Sequence, residues 1–219
     1  MVELSASILS VEKEKAIKTF YNLEEAKIDY FHIDVMDGKF VKQDTSILMK
    51  EYTEYLKQIT NLPLDVHLMV EDVKSYLISY SALEPSNITF HLEAGKNKEE
   101  IMEWINYIKQ EGIKVGISIK PDTKVEEIKP YLQYINLCLV MSVEPGYGGQ
   151  EFIEAVIPKI QELNRYREEQ SLDYIIEVDG GINQETVAKV KDAGADIITV
   201  GSYLVKSENY KETVKNLKV

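Results

Sequence analysis

The chain has 219 residues, of which 44% are hydrophobic and 28% are charged, and these proportions exclude a disordered or fibrous protein. Its formal net charge of -12 argues against nucleic acid or an anionic membrane as a partner, because both reward clustered Lys and Arg. The sequence contains neither a signal segment nor an apolar run of the roughly 20 residues that cross a bilayer, so we expect a cytoplasmic protein.

Eight apolar or β-branched runs alternate with stretches of helical spacing along the chain. The spacing of Ile101, Ile105 and Ile108, for example, predicts a helix. Eight strand-then-helix units favour a closed parallel barrel over an open sheet, and no linker divides them. We therefore predict an α/β fold, a (β/α)8 TIM barrel, with residues 1–219 as a single domain. The runs predicted as strands are residues 4–9, 29–35, 64–69, 87–91, 114–119, 134–141, 174–178 and 196–200.

Four polar residues fall at the ends of predicted strands two, three and seven. Side chains two apart on a strand point to the same face, and in such barrels the chemistry lies at the C-terminal ends of the strands. We therefore expect His32, Asp34, His67 and Asp179 to meet at one point. Two His and two Asp form a ligand set for a divalent metal with open positions, which suggests an enzyme. The alternative is that hydrogen bonds satisfy each residue separately.

A third histidine, His91, ends predicted strand four beside Glu93. It could contact the site, but we interpret it as a rim histidine bonded to its neighbour. The methionines at the strand ends have two equally good interpretations, as thioether walls of a substrate site or as core filler. They are Met36, Met69 and Met141.

Glycines follow predicted strands six, seven and eight. Glycine lets backbone N–H groups approach an anion closely, and the loops after strands seven and eight are the usual phosphate site of these barrels. The first cluster is not a dinucleotide fingerprint, because the sixth position counted from Gly146 is Glu151. We therefore predict a phosphate cradle. Its segments are residues 145–150, residues 179–181 and Gly201-Ser202.

A metal, two carboxylates and a phosphate anchor suit one reaction in particular. A metal bound to adjacent carbonyl and hydroxyl oxygens acidifies the neighbouring C–H bond. Asp34 and Asp179 come from different strands and could face the two sides of that carbon. One would remove a proton and the other would return one from the opposite face, giving an epimer.

The motifs resemble those of the ribulose-phosphate 3-epimerase family, in order and over nearly the whole chain. The matching segments are Ser7-Ile8-Leu9-Ser10, His32-Ile33-Asp34-Val35-Met36-Asp37-Gly38, Asp65-Val66-His67-Leu68-Met69, Val143-Glu144-Pro145-Gly146-Tyr147-Gly148-Gly149-Gln150 and Glu177-Val178-Asp179-Gly180-Gly181.

This resemblance implies an isomerase of the pentose phosphate pathway that interconverts D-ribulose 5-phosphate and D-xylulose 5-phosphate. It implies one divalent metal, first zinc or iron, with manganese or cobalt as alternatives, bound by His32, Asp34, His67 and Asp179. Asp34 and Asp179 would be the acid/base pair, and relatives imply a homo-oligomer. The residues implied at the substrate are Ser7, His67, Met36, Met69, Met141, Gly146, Tyr147, Gly148, Gly149, Gly180, Gly181, Gly201 and Ser202.

Departures from the family pattern leave the substrate more open than the reaction type. Lys42-Gln43 replaces Pro-Asn after strand two, Asp122 replaces Gly after strand five, and Ala6 replaces a proline. An epimerase of a related ketose phosphate, such as D-allulose 6-phosphate 3-epimerase, is therefore the nearest alternative. A hexulose-phosphate synthase relative would carry Asp-x-Lys where this chain has His32-Ile33-Asp34. A non-catalytic sugar-phosphate-binding barrel would leave both carboxylates without a purpose.

Overall fold

The computed structural model describes residues 2–218, and its eight strands close into one barrel. All strands are parallel, and each one pairs with the strands before and after it in the sequence, with β8 returning to β1. The prediction of a (β/α)8 barrel is confirmed. The strands are β1 (Glu3–Ser7), β2 (Tyr30–Met36), β3 (Leu64–Met69), β4 (Asn87–His91), β5 (Lys114–Ile119), β6 (Leu137–Met141), β7 (Ile175–Asp179) and β8 (Ile197–Val200).

Helices lie outside the barrel and connect successive strands. They are α1 (Ala16–Glu25), α2 (Ser46–Ile59), α3 (Val73–Ser81), α4 (Lys98–Gln110), α5 (Val125–Ile128), α6 (Ile157–Gln170), α7 (Val187–Ala193), α8 (Ser202–Val205) and α9 (Tyr210–Leu217). Among the described residues, none of these helices has both the length and the apolar character needed to cross a membrane.

Three predicted strands, the third, fourth and fifth, have the observed bounds. The second, seventh and eighth differ from them by one residue, and the first and sixth differ by more. The sequence predicts that the sixth begins at residue 134, but Leu132–Tyr134 form a 3-10 turn and the strand begins at Leu137. The first ends at Ser7 rather than residue 9, so Leu9 and Ser10 lie in a turn at the mouth of the barrel. In both segments apolar residues continue beyond the strand itself, which is why the run of apolar letters misplaces its end.

The larger hydrophobic core lies between the strands and the helices. Alternate residues such as Ile33 and Val35 point outward into it, as does Phe90, against which Trp104 packs edge to face at 5.2 Å between ring centroids. The inward positions are unusually polar for a buried layer. They include Ser5, His32, Asp34, Asp65, His67, Asn87, Thr89, His91, Ser118, Glu177 and Thr199, all of them buried.

Strand register sets which of these inward residues are neighbours. On β2 and β3, His32 is opposite Asp65 and Asp34 is opposite His67. On β6 and β7, Met141 is opposite Asp179. Because a shift of one residue would turn each of these side chains outward, the apolar outer face of the strands also fixes the arrangement of the polar inner face.

The outer core generates a stability prediction for α1. Phe20 is buried against Phe31 and Tyr52, at 5.8 and 5.3 Å between ring centroids. We expect Phe20→Ala to lower the free energy of unfolding by about 3–5 kcal/mol through lost burial and the cavity left behind. The adjacent Tyr21 is 49% exposed, and Tyr21→Ala should change the free energy of unfolding by about 0.5 kcal/mol or less. Urea unfolding of both variants checks this, and equal losses would contradict the assignment of this core.

Candidate active site

The four residues predicted as metal ligands meet inside the C-terminal end of the barrel. His32 Nε2 lies 3.3 Å from Asp34 Oδ1 and 4.0 Å from Asp179 Oδ2. His67 Nδ1 lies 3.4 and 3.9 Å from the same two oxygens. The four atoms lie within 4.8 Å of one another, so this cluster could hold a metal ion.

The contacts within this cluster fit a metal better than they fit hydrogen bonds. His32 Nε2 and His67 Nδ1 are buried and have no hydrogen-bond partner within residues 2–218. Such orphaned nitrogens are costly unless something else satisfies them. Ligand atoms around a tetrahedral ion with bonds of about 2.1 Å are roughly 3.4 Å apart. Both nitrogens lie at about that distance from Asp34 Oδ1, whereas their distances from Asp179 Oδ2 are 3.9 and 4.0 Å.

A second layer of carboxyl groups lies beneath His32. Asp65 Oδ2 is 2.6 Å from His32 Nδ1, and Asp65 also accepts hydrogen bonds from the Ser5 hydroxyl and the Asn87 amide. Glu177 Oε1 lies 3.5 Å from His32 Nδ1 and accepts a hydrogen bond from the Thr199 hydroxyl. A carboxylate on the far nitrogen of a ligating histidine holds the ring in place and raises its basicity.

Burial and mutual repulsion of the carboxyl groups determine their protonation. Burial and the charge of Asp34 raise the pKa of Asp179 to about 7. Burial and the charge of Asp65 raise the pKa of Glu177 to about 8. Burial by itself would raise the pKa of Asp34, but His32 and His67 outweigh it and hold that pKa well below its usual range. Within residues 2–218 no Lys or Arg pairs with these four carboxyl groups, so a cation is the natural partner for them.

The two histidine ligands differ in protonation. Burial lowers the pKa of His67 to about 4, so this ring is neutral at pH 7, the form that binds metals. Burial also acts to lower the pKa of His32, but the charges of Asp65 and Asp34 outweigh it and raise that pKa well above its usual value. In the chain by itself, the His32 proton therefore supplies part of the positive charge that the carboxylates require.

His91 lies against the cluster rather than at the rim. Its Nδ1 is 3.2 Å from Glu93 Oε2, as predicted, but its Nε2 is 2.9 Å from His67 Nε2 and the residue is fully buried. The interpretation as a rim histidine is therefore wrong in its main point. Sequence spacing could not find this contact, because it depends on how β3 and β4 pair.

A cavity of about 840 Å³ opens above the cluster. Asp34 and Asp179 reach its surface, whereas His32 and His67 are fully buried below it. Ser7 lines the cavity and donates a 2.6 Å hydrogen bond to Asp34 Oδ2. The methionines also line it, namely Met36, Met69 and Met141, together with the predicted Gly146, Tyr147, Gly148, Gly149, Gly180, Gly181, Gly201 and Ser202.

Glycines bring the loops on one side of this cavity close together. A Cβ on Gly201 would lie 3.3 Å from Ser7 Cβ, and one on Gly149 would lie 3.6 Å from Ser202 Oγ, so the loops after β1, β6 and β8 approach one another closely. Gly181 has a φ of +65°, and a Cβ there would lie 2.5 Å from the backbone nitrogen of Phe152. No side chain fits at Gly181, and backbone groups can approach a ligand there.

The sequence alone did not single out several residues of the site. Asp65 and Glu177 precede His67 and Asp179 by two positions, and this shared strand face was the available signal. Ser10, Asn183, Lys189 and Lys206 also line the cavity, but they come from loops and helices and carry no comparable pattern.

The fold and the site together define a barrel enzyme with a candidate metal centre beneath a glycine-lined pocket. Residues 3–205 match the model of the Ribulose-phosphate 3 epimerase family. Ribulose-phosphate 3-epimerase of Bacillus subtilis (strain 168) is 35% identical over 219 residues, covering 100% of this chain and 99% of that protein. The same-named protein of Methanocaldococcus jannaschii is 38% identical over 218 residues, covering 100% and 90%.

The chain belongs to the ribulose-phosphate 3-epimerase family. The prediction of an epimerase, and thus of an isomerase, is confirmed. Among solved structures, KGPDC from Streptococcus mutans is similar with a TM-score of 0.74 and 12% identity, over 100% of this chain and 96% of that one. At that identity the likeness shows the fold alone.

The glycine-lined side of the pocket generates a prediction with a matched control. Gly181 and Gly112 both have positive φ, but a Cβ on Gly112 would have nothing within 4 Å. We expect Gly112→Ala to cost only the backbone strain, about 1–2 kcal/mol, whereas Gly181→Ala adds a clash with backbone atoms of Phe152. Only Gly181→Ala should also weaken the binding of inorganic phosphate, as measured by calorimetry. Equal phosphate affinity in the two variants would contradict this cradle.

Proposed function

We propose that this chain interconverts D-ribulose 5-phosphate and D-xylulose 5-phosphate by moving a proton at C3 between the two faces of the sugar. The observation that carries the proposal is the orphaned nitrogen pair, His32 Nε2 and His67 Nδ1, beside two carboxylates at the bottom of a glycine-lined cavity. Neither a simple binding module nor a barrel without a metal would need both features together.

His32, Asp34, His67 and Asp179 would hold the metal. A divalent ion held there would supply positive charge that acidifies the C3–H bond of the substrate. Nitrogen and carboxylate ligands in this ratio suit zinc or iron first, with manganese or cobalt as alternatives. The buried carboxyl groups that have no Lys or Arg partner within residues 2–218 support a cation at this position.

Asp34 and Asp179 are the proposed acid/base pair. One carboxylate takes the proton from C3, and the other carboxyl group donates a proton to the opposite face of C3, which inverts the centre. They come from β2 and β7, and both line the cavity. The Ser7 hydroxyl, which donates to Asp34 Oδ2, fixes the orientation of that carboxylate and reaches the same cavity.

The remaining substrate contacts follow from the lining of the cavity. Backbone amides of Gly148, Gly149, Gly181, Gly201 and Ser202 would surround the phosphate, and Gly146, Tyr147 and Gly180 would complete that side. Met36, Met69 and Met141 would exclude water from the reacting carbon and contact it with polarisable sulfur. We propose that the loop of residues 146–150 covers the bound sugar.

The pentose phosphate is favoured over a hexose phosphate by where the sequence departures lie. Lys42, Gln43 and Asp122 are exposed and do not line the cavity. These three departures from the family pattern therefore lie outside the residues that line the cavity, which supports the family's pentose phosphate as substrate. D-Allulose 6-phosphate remains the alternative substrate.

Broader aspects of the proposal follow from the family and composition. We propose one catalytic domain over residues 1–219, a place in the pentose phosphate pathway, a cytoplasmic location and a homo-oligomer, with neither nucleic acid nor membrane as a partner. The net charge of -12 supports the last point. Light scattering coupled to size-exclusion chromatography tests the oligomeric state, and a monomer at micromolar concentration would contradict it.

The substrate is tested with the metal-loaded protein in D₂O. We expect deuterium at C3 and xylulose 5-phosphate to form from D-ribulose 5-phosphate faster than any exchange with D-allulose 6-phosphate, as followed by NMR. A preference for the hexose would move the assignment to the alternative epimerase. Binding of either sugar without exchange, with the metal bound, would overturn the proposed mechanism in favour of a non-catalytic barrel.

The roles of the two carboxylates generate a separate prediction. Asp34→Asn and Asp179→Asn should each slow epimerisation by roughly 10²–10⁴-fold, because each removes one of two proton-transfer groups. Any residual C3 exchange should be confined to one epimer in one variant and to the other epimer in the other variant. Asp173→Asn, an exposed substitution before β7 and thus at the opposite end of the barrel, is the control. Metal content is measured in all three variants, and exchange of the same epimer in both site variants would contradict the two-face mechanism.

A further inference from the structure

The three histidines of the chain all lie in one cluster, although only two of them belong to the proposed metal site. His91 is fully buried, and its Nε2 lies 2.9 Å from Nε2 of His67. That His67 nitrogen is the one opposite the candidate ligand atom, Nδ1. The two rings are 5.0 Å apart between centroids and inclined by 28°. At this distance one nitrogen must donate and the other must accept, because two N–H groups would collide.

Glu93, on the other side of the His91 ring from His67, decides which of the two nitrogens donates. Glu93 Oε2 faces His91 Nδ1 at 3.2 Å. Its other oxygen, Oε1, accepts a hydrogen bond from the backbone N–H of Lys120 at 2.8 Å and another from the Thr123 hydroxyl. Burial alone would raise the pKa of Glu93, but His91 and these donors hold it at about 2, so the group is a carboxylate.

A neutral imidazole carries one N–H and one lone pair, and a carboxylate can only accept. For two neutral rings, the direction of both hydrogen bonds in the line from Glu93 through His91 to His67 therefore follows from Glu93. His91 must carry its proton on Nδ1 and present a lone pair at Nε2. His67 must then carry its proton on Nε2 and present a lone pair at Nδ1. That Nδ1 is the orphaned atom beside Asp34 and Asp179.

We propose that Glu93 and His91 are positioning residues that fix the tautomer and ring orientation of His67, so that its Nδ1 lone pair faces the candidate metal site. This inference rests on the proposed function for its purpose, but the tautomer itself does not depend on a bound metal. A hydrogen-bonded partner on the far nitrogen of a ligating histidine is a general device for holding the ring and raising its basicity.

Side chains from two further loops enclose this line. The Phe40 ring, from the loop after β2, lies 4.9 Å from the His91 ring between centroids. Lys120, from the loop after β5, places its Nζ 4.3 Å from the centre of the Phe40 ring. These contacts keep water away from His91, so that no solvent molecule competes with His67 for its lone pair.

NMR of metal-free protein with ¹⁵N-labelled histidine tests the tautomer directly at pH 7. We expect the proton of His67 on Nε2, that of His91 on Nδ1, and a scalar coupling between the two Nε2 atoms across their hydrogen bond. Only three histidines contribute signals. A proton on His91 Nε2, or on His67 Nδ1, would overturn the inference whatever the metal content of the protein.

The most discriminating variant is Glu93→Gln. Because both other donors meet Oε1, the amide oxygen takes that position and the amide N–H group faces His91 Nδ1. Both hydrogen bonds between residue 93 and His67 then change direction. His91 donates from Nε2, and His67 is left with its proton on Nδ1, the candidate ligand atom. We expect this isosteric change at a side chain that is 21% exposed to move the His67 proton from Nε2 to Nδ1.

Metal affinity gives the second readout, measured for Co²⁺ and Zn²⁺ in competition with a chelator. We expect His91→Leu and Glu93→Gln to weaken binding by roughly 10–100-fold. His91→Gln, whose amide oxygen can accept from His67, should stay close to the unaltered protein. Thr89→Val is the control, since Thr89 is equally buried on the same strand and its hydroxyl has no partner within residues 2–218.

The outcomes separate this inference from the proposed function. If the unaltered chain binds no divalent ion, the proposed metal site fails, and the metal-free NMR spectrum still decides the tautomer. If it binds an ion and the His91→Leu and Glu93→Gln variants bind as tightly, the positioning role is wrong while the metal site stands. An equal loss in Thr89→Val would also overturn it, because the effect would then reflect packing in β4 rather than the hydrogen-bonded line.

Discussion

A buried cluster of imidazoles and carboxyl groups is the constraint on which the rest of this barrel depends. Asp34, Asp65, Glu177 and Asp179 converge on His32 and His67 from inward positions of β2, β3 and β7. Burying such groups is costly unless each is paired or bound to a cation. The cluster therefore does not stabilise the fold by apolar burial. Other contacts must hold the strands in register.

The outer face of the same strands supplies that stability. Residues that alternate with the polar ones, such as Ile33 and Val66, are fully buried between the strands and the helices. Because inward and outward residues alternate strictly, one apolar layer fixes the register, and the register in turn brings His32 opposite Asp65 and Asp34 opposite His67. Function and stability are thus divided between the two faces of each strand rather than between regions of the chain.

The division between faces also explains what could be predicted from the sequence. Alternating runs indicated eight strands, and the spacing of His32 and Asp34 placed both side chains on one face. The contact of His91 with His67 could not be predicted, because it depends on the register in which β3 and β4 pair. The sequence also misplaces the start of β6, which is Leu137, since local apolar character does not distinguish a strand from the 3-10 turn before it.

X-ray absorption spectroscopy at the zinc edge of the reconstituted protein tests the central claim most directly. The account predicts one ion per chain with a first shell of nitrogen and oxygen atoms, and with the outer-shell scattering of two imidazole rings, from His32 and His67. The spectrum reports which atoms surround the ion, and the account assigns them to the four residues whose ligand atoms lie within 4.8 Å of one another. A shell of oxygen alone, or an ion held without imidazole, would contradict the account.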